Sequence, residues 1–154
     1  MALFRPQLGI SLAKLGAPMD RDALAALKES QIETLELIPR LFHGEDTAWQ
    51  KAELKCILGQ TGITVKTVHM LFGGVHDISA VNVSGNTARE TLTAALDLAE
   101  EFTAPMVVVH ASAEPIRDDE RAARLACARQ VLTEVAPRCR KEGRQIAVEL
   151  LPRS

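Results

Sequence analysis

Runs rich in β-branched residues alternate with helical stripes from one end of the chain to the other, and that alternation leaves few folds open. The strand candidates are Leu8–Leu12, Thr34–Ile38, Ile63–His69, Met106–His110 and Gln145–Leu150. Between them apolar residues recur at helical spacing. The first such stretch runs from near Asp20 to Ser30, with Leu24 and Leu27 on one face. The second runs from near Ala48 to Leu58, and the third from about Ala88 to Phe102 with Leu92, Ala95, Leu96 and Ala99 in phase. The fourth starts after Asp118 and carries Leu125, Ala128, Val131, Leu132 and Val135. Thr47 with Gln50, and Thr87 with Glu90, have the spacing of capping boxes. Pro137 should kink or end the fourth helix, and Gly143 is a natural stop. The order βαβαβαβαβ predicts a parallel sheet with right-handed crossovers. No linker or low-complexity segment divides residues 1–154, which reads as one domain.

Side chains alternate across a strand, so each run splits into two faces. In the fifth run Ile146, Val148 and Leu150 oppose Gln145, Ala147 and Glu149. In the second, Leu35 and Leu37 oppose Thr34 and Glu36. In the first, Leu8, Ile10 and Leu12 oppose Gly9 and Ser11. One face is apolar and belongs under helices, while the other is small or polar. An open doubly wound sheet needs apolar residues on both faces. One-sided strands instead favour a (β/α) barrel of TIM type, here incomplete, with about five strands and four helices.

Three of the runs close on residues able to do chemistry: His69, His110 and Glu149. Parallel α/β proteins place their sites at the C-terminal ends of strands. Taken in phase with Thr67, Val65 and Ile63, His69 points inward, and His110 does so with Val108 and Met106. Glu36 would join them at the same mouth, unless it pairs with Arg40 or Lys14. Two imidazoles and a carboxylate are a plausible divalent-metal set. A single strand-end histidine is more often structural, and it is the matched pair with an in-phase glutamate that points to function. An unpaired buried carboxylate is costly, so Glu149 calls for a metal, an arginine or a substrate beside it. The segment from Met70 to Asn86 is long for a compact domain and reads as a lid or binding loop, with Gly73, Gly74, His76, Asp77 and Asn82 in it. His43 and His76 read as solvated, although His76-Asp77 could reach a ligand from that loop.

Composition removes several classes. Eighteen basic and twenty acidic residues give a net charge of −2, which argues against a nucleic-acid module held by a basic surface. With no Tyr, one Trp and four Phe there is no stacking platform for single strands. Arg138, Arg140, Lys141 and Arg144 read as a solvated helix end that complements the helix dipole. Asp118, Asp119 and Glu120 read as capping at a helix start. Cys56, Cys127 and Cys139 form no CxxC pair, and Cys56 and Cys127 fit buried free thiols. A reducing, cytoplasmic setting follows, with no secretory leader and no apolar run long enough to span a membrane. Nucleotide-loop, serine-hydrolase and zincin motifs are absent from the sequence.

The segments LGISL, IETLELIP, TVHM, MVVVHAS and IAVELLPR, in that order and spacing, resemble the N-terminal part of the xylose isomerase-like TIM-barrel superfamily. That group includes sugar phosphate isomerases and epimerases and the apurinic/apyrimidinic endonucleases. The resemblance implies that Glu149 is a metal ligand and an acid/base. It implies that His69 and His110 ligate metal, as in the endonucleases, or contact substrate oxygens, as in the sugar-converting members. Glu36 matches an acidic position common at the second strand. The expected cofactor is a divalent metal (Mn, Mg, Zn or Co), and the expected partner is a small sugar or sugar phosphate.

The resemblance covers about five of eight strands, so the chain reads as a truncated form whose longer parent performs metal-dependent proton transfer on a sugar. An abasic-site endonuclease of the same fold is one alternative. A non-catalytic half-barrel that self-associates through its open sheet edges, or pairs with a partner, is another. Two copies would bring ten strands, which do not close an eight-stranded barrel without rearrangement.

Overall fold

The computed structural model of the protein describes residues 7–12, 20–80, 86–113 and 115–150. Among the described residues, five strands and four helices follow one another in the expected order. They are β1 (Gly9–Ser11), α1 (Arg21–Glu29), β2 (Thr34–Leu37), α2 (Thr47–Thr61), β3 (Thr64–His69), α3 (Thr87–Glu101), β4 (Met106–His110), α4 (Arg121–Glu142) and β5 (Gln145–Glu149). The sheet runs β1-β2-β3-β4-β5 with every pair parallel, which is the architecture of a partial TIM barrel.

The helix-facing side of the sheet carries the core. Leu35, Leu37, Val68, Val107 and Val109 are at most 2% exposed. They join Leu54 and Ile57 of α2 and Leu92, Ala95, Leu96 and Ala99 of α3 in one cluster. Burying a side chain of this size is worth roughly 1.5–3 kcal/mol, so this layer supplies most of the fold's driving force. The opposite side holds Ser11, Glu36, Thr67, His69, Val108, His110 and Ala147, all only partly buried. The one-sided pattern of the strands is therefore real. At Gly9 the backbone runs so close to β2 that a Cβ would collide with Thr34 Oγ1.

The phase of β3 differs from strict alternation. Leu35 pairs with Val65 but Glu36 pairs with Thr67, so Lys66 is an extra residue in the ladder. Val65 is buried with Leu35 on the helix side, whereas Thr67 and His69 face inward. His69 was thus rightly aimed, but Val65 is not on its face. A bulge of this kind re-aims the side chains that follow it.

Helix limits show what local spacing misses. Asp20 caps α1 by accepting from the Ala23 N–H at 2.8 Å. Neither capping box forms: Thr47 and Thr87 already lie inside their helices, and the capping positions fall on Asp46 and Asn86 without a side-chain cap bond. The Thr47 hydroxyl donates instead to Gly44 O, at 3.0 Å. Pro137 does not end α4, which continues to Glu142 and stops at Gly143 in the left-handed region. An interior proline costs about 3 kcal/mol. Here Val131 and Cys139 bury the same face on either side of it. Arg138 adds ion pairs to Asp97 and Glu100 of α3 and to Glu142, at 2.7, 3.1 and 2.6 Å.

Arg138 and Arg144 are accordingly structural rather than a solvated cluster. The Arg144 side chain is 7% exposed and donates to Ala99 O at 3.0 Å and to Ala104 O, closing the end of α3. Cys56 is exposed, not buried, because it lies on the outer face of α2; Cys127 is half-buried and Cys139 buried. The edge strands also depart from expectation. Leu8, Ile10, Val148 and Leu150 are 59%, 41%, 44% and 81% exposed, so the apolar sides of β1 and β5 are only partly covered, although Leu12 is buried and Ile146 packs on the core.

Candidate active site and metal centre

β4 and β5 pair in register through His110 and Glu149, and His69 pairs with Val108 one strand over. This register gathers three side chains from three strands. His110 Nε2 stands 3.1 Å and His69 Nε2 3.3 Å from the same oxygen, Glu149 Oε2. One donor atom from each residue lies within 4.8 Å of the other two. The imidazoles meet edge to face, with ring centroids 5.0 Å apart.

The hydrogen bonds set the character of each ring. His69 Nδ1–H donates to Met70 O at 2.7 Å. In the neutral ring that leaves a lone pair on Nε2, aimed at a carboxylate oxygen. Two electron-rich atoms face each other there, and the arrangement calls for a proton or a cation between them. A histidine whose second nitrogen donates to a carbonyl is the usual form of a metal ligand. His110 differs: its Nδ1 is buried with no hydrogen-bond partner among the described residues. Burial, and then the neighbouring His69, push the His110 imidazole below its ordinary value despite the opposing pull of Glu149. Glu149 is held below the usual carboxylate range, first by its hydrogen bond with His69, a bond that needs a proton on His69 Nε2 and that a cation would replace. Both shifts favour a neutral His110 beside an ionised Glu149, the state in which a histidine and a carboxylate can ligate a divalent cation. On donor type and spacing, these three residues fit a divalent metal.

Glu36 is on the same face but one layer deeper, level with Thr67. It accepts from Ser11 Oγ at 2.7 Å and from Thr67 Oγ1 at 2.9 Å, so it ties β1, β2 and β3 together below the cluster. Lys14, one of its expected partners, is outside the described residues.

A cleft of about 490 Å³ opens over the cluster and is lined by Ser11, Arg40, His69, Phe72, His110 and Glu149, among others. Glu149 is half exposed to it, whereas the side chains of His69 and His110 are 12% and 7% exposed. Phe72 was not singled out from the sequence. Its ring stacks on His110 with centroids 4.1 Å apart and lies 5.6 Å from His69, while 55% of the residue remains exposed. Its signal was position: three residues past a strand-end histidine, in the long loop.

That loop turns at Gly73 and Gly74, both at positive φ, and then forms two short helical turns, Gly74–His76 and Ile78–Ala80. His76 is not simply solvated, since its Nδ1 lies 2.9 Å from Thr91 Oγ1. Asp77 does not reach for a ligand; it is buried and bonded within the protein. Asn82 lies outside the described residues. His43 is exposed, as expected. Asp118, Asp119 and Glu120 sit ahead of α4 and pair with Arg121, Arg117 and Arg124. No helix among the described residues is long and apolar enough to cross a membrane.

The fold and the strand-end cluster define a class, and the sequence agrees. The profile of the xylose isomerase-like TIM barrel family matches residues 24–154, and the chain belongs to that family. Among solved structures it is similar to a D-tagatose 3-epimerase-like protein, with a TM-score of 0.71 and 17% identity over 97% of this chain and 54% of that one. It is also similar to the D-psicose 3-epimerase of Clostridium cellulolyticum H10 solved with D-tagatose, with a TM-score of 0.71 and 18% identity over 95% and 53%. A third is the 3-keto-D-glucoside 4-epimerase of E. coli, with a TM-score of 0.67 and 19% identity over 97% and 57%. The chain thus spans about half the length of the structures it matches. No curated protein matches it.

Proposed function

We propose that this chain carries one wall of a metal-dependent sugar isomerase or epimerase site, in which His69, His110 and Glu149 hold a divalent cation. The observation that supports it most is the convergence of His69 Nε2 and His110 Nε2 on Glu149 Oε2, with His69 Nδ1 occupied by Met70 O. The kinship with sugar epimerases supports the substrate class. Bound there, a divalent cation supplies positive charge that stabilises developing negative charge on a carbonyl or hydroxyl oxygen.

The remaining chemistry belongs to the chain. Glu149 is ionised across the neutral range and half exposed to the cleft, the state and position of a proton acceptor. It would take the proton from the carbon beside a ketose carbonyl. His69 and His110 would orient the substrate oxygens, and Glu36 would set the depth of the floor through Ser11 and Thr67. Phe72 would shield the reacting carbon from water. Epimerisation also needs a second proton-transfer group on the opposite face of the substrate.

A direct test incubates the purified chain with Mn²⁺, Co²⁺, Zn²⁺ or Mg²⁺ and a ketohexose or its phosphate in D₂O. NMR should show deuterium entering the carbon beside the carbonyl, and Glu149→Gln should stop it. A wild-type chain that takes up no metal, or exchange that Glu149→Gln leaves intact, would overturn this reading.

A second reading has its own support. Two histidines and one carboxylate with an exposed side remaining are also a hydrolytic zinc set. On that reading the chain would cleave abasic DNA when loaded with zinc, and a nicking assay on an abasic duplex separates the two. The exposed apolar edges at Leu8, Ile10, Val148 and Leu150 support association through β1 and β5, which native mass spectrometry would register as a defined oligomer.

A further inference from the structure

The inference below rests on reading His69, His110 and Glu149 as one ligand set. Each stands at the last ladder position of its strand, where the sheet stops holding the backbone. Beyond His110 the ladder ends with the Ala111 N–H reaching Glu149 O at 3.4 Å. Another contact must fix the segments that follow, because a strand-end side chain is only as well placed as the loop packed over it.

That contact is centred on Asp77. Its side chain is 4% exposed, and its carboxylate collects four donors. Oδ1 accepts from Ser79 N–H at 2.8 Å and from Ser79 Oγ at 2.7 Å. Oδ2 accepts from Ala113 N–H at 3.1 Å and from Arg124 Nη1 at 3.2 Å. Arg124 Nη1 also reaches Ser79 Oγ at 3.3 Å. The turn Ile78–Ala80 packs against α4, with Ile78 and Ser79 buried. Asp77 belongs to the loop that carries Phe72 away from His69. Ala113 lies three residues past His110. Arg124 lies in the first turn of the helix that leads to Glu149.

We propose that Asp77 and Arg124 form a positioning clamp that sets the relative placement of His69, His110 and Glu149, acting through the loop beyond each histidine and through Phe72 on the His110 ring. The physical case is one of cost. A buried carboxylate with a single cation is expensive unless its remaining lone pairs are filled, and here the donors that fill them come from the loop beyond β3, the loop beyond β4 and the start of α4. A carboxylate needed only to start α4 would not bond Ala113, and one needed only to close the loop would not bond Arg124.

The test compares the wild type with Asp77→Asn and Arg124→Gln, using two readouts that a general loss of stability does not move. One is the imidazole nitrogen NMR signals of His69 and His110 in the metal-free chain. The other is Co²⁺ titration followed by its visible absorption bands. Thermal melts establish that each variant is folded. The expected result is a displaced His110 signal in both variants, with Co²⁺ affinity lowered about 10- to 100-fold and altered bands. Arg124→Lys, which keeps the charge, should recover part of the affinity. Imidazole signals unmoved and Co²⁺ affinity within about twofold of wild type in a folded variant would overturn the clamp. If Asp77→Asn does not fold, Arg124→Gln decides alone. If the wild type takes up no Co²⁺, the ligand-set reading fails, and the imidazole signals by themselves decide the clamp.

Discussion

The two faces of the sheet are made of the same strands and obey different rules. On the helix side, Leu35, Leu37, Val68, Val107 and Val109 are sealed in one apolar cluster with residues of α2 and α3. On the barrel side, Glu36, Thr67, His69, His110 and Glu149 are partly open and bonded to one another across strands. Stability is concentrated on the first face and chemistry on the second. A polar group facing inward can be kept for its chemistry because the outer layer already supplies the free energy of folding.

That division can be broken most sharply at Glu149. Glu149→Gln removes the charge shared by both imidazoles and should abolish stoichiometric metal uptake in isothermal titration, while the urea midpoint at neutral pH falls by less than for a buried side chain, since Glu149 is half exposed. The mirror experiment is Leu96→Ala, on the sealed face. It should cost about 2–5 kcal/mol in urea unfolding, with metal affinity per folded molecule unchanged. If Leu96→Ala weakened metal binding as much as Glu149→Gln, the two faces would not be separable.

A smaller effect tests the electrostatics of the barrel side. His110 is held below its ordinary value of about 6.5, so near that pH the unfolded chain binds the proton that the folded chain refuses. Stability should therefore fall as pH drops from neutral through the ordinary imidazole range. Glu149 acts lower: its depressed value contributes stability above the ordinary carboxylate range, which is lost as pH falls through the lowered one. Urea midpoints against pH should show both steps in the metal-free chain, and His110→Gln should remove the upper one and shrink the lower, because His110 is among the groups that hold Glu149 down.

The smallest expected effect lies outside both faces. Lys55 pairs with Glu101 at 2.9 Å with 48% of its side chain exposed. Lys55→Ala should cost about 0.2–1 kcal/mol at low salt and less at high salt. A larger loss would mean that the surface pairs share the work assigned to the outer layer.

Much of the molecule is legible in its sequence alone. The order of elements follows from β-branched runs and helical stripes, and β4 has the expected bounds, Met106–His110. The cluster was legible because His69, His110 and Glu149 close their runs, and parallel strands bring run ends together. The misses share one cause, which is that local spacing cannot see neighbours. Lys66 bulges out of β3 because of how β2 pairs with it. Thr47 and Thr87 have capping-box spacing, yet the chain enters each helix one residue earlier. Cys56 matched an apolar stripe but faces away from the sheet. Phe72 and Asp77 lie in a loop whose sequence carries no periodicity to say which of them turns inward.

By itself, the sequence determined the parallel sheet, its one-sided strands and the residues that end them, because alternation and helical period are properties of a chain with its nearest neighbours. Only the tertiary structure decided that two imidazoles share one oxygen of Glu149, that Glu36 is bonded below them, and that Asp77 gathers donors from three segments. Those are facts of register and of loop packing. They depend on distances between residues far apart in the chain, which close only when the sheet and its helices assemble.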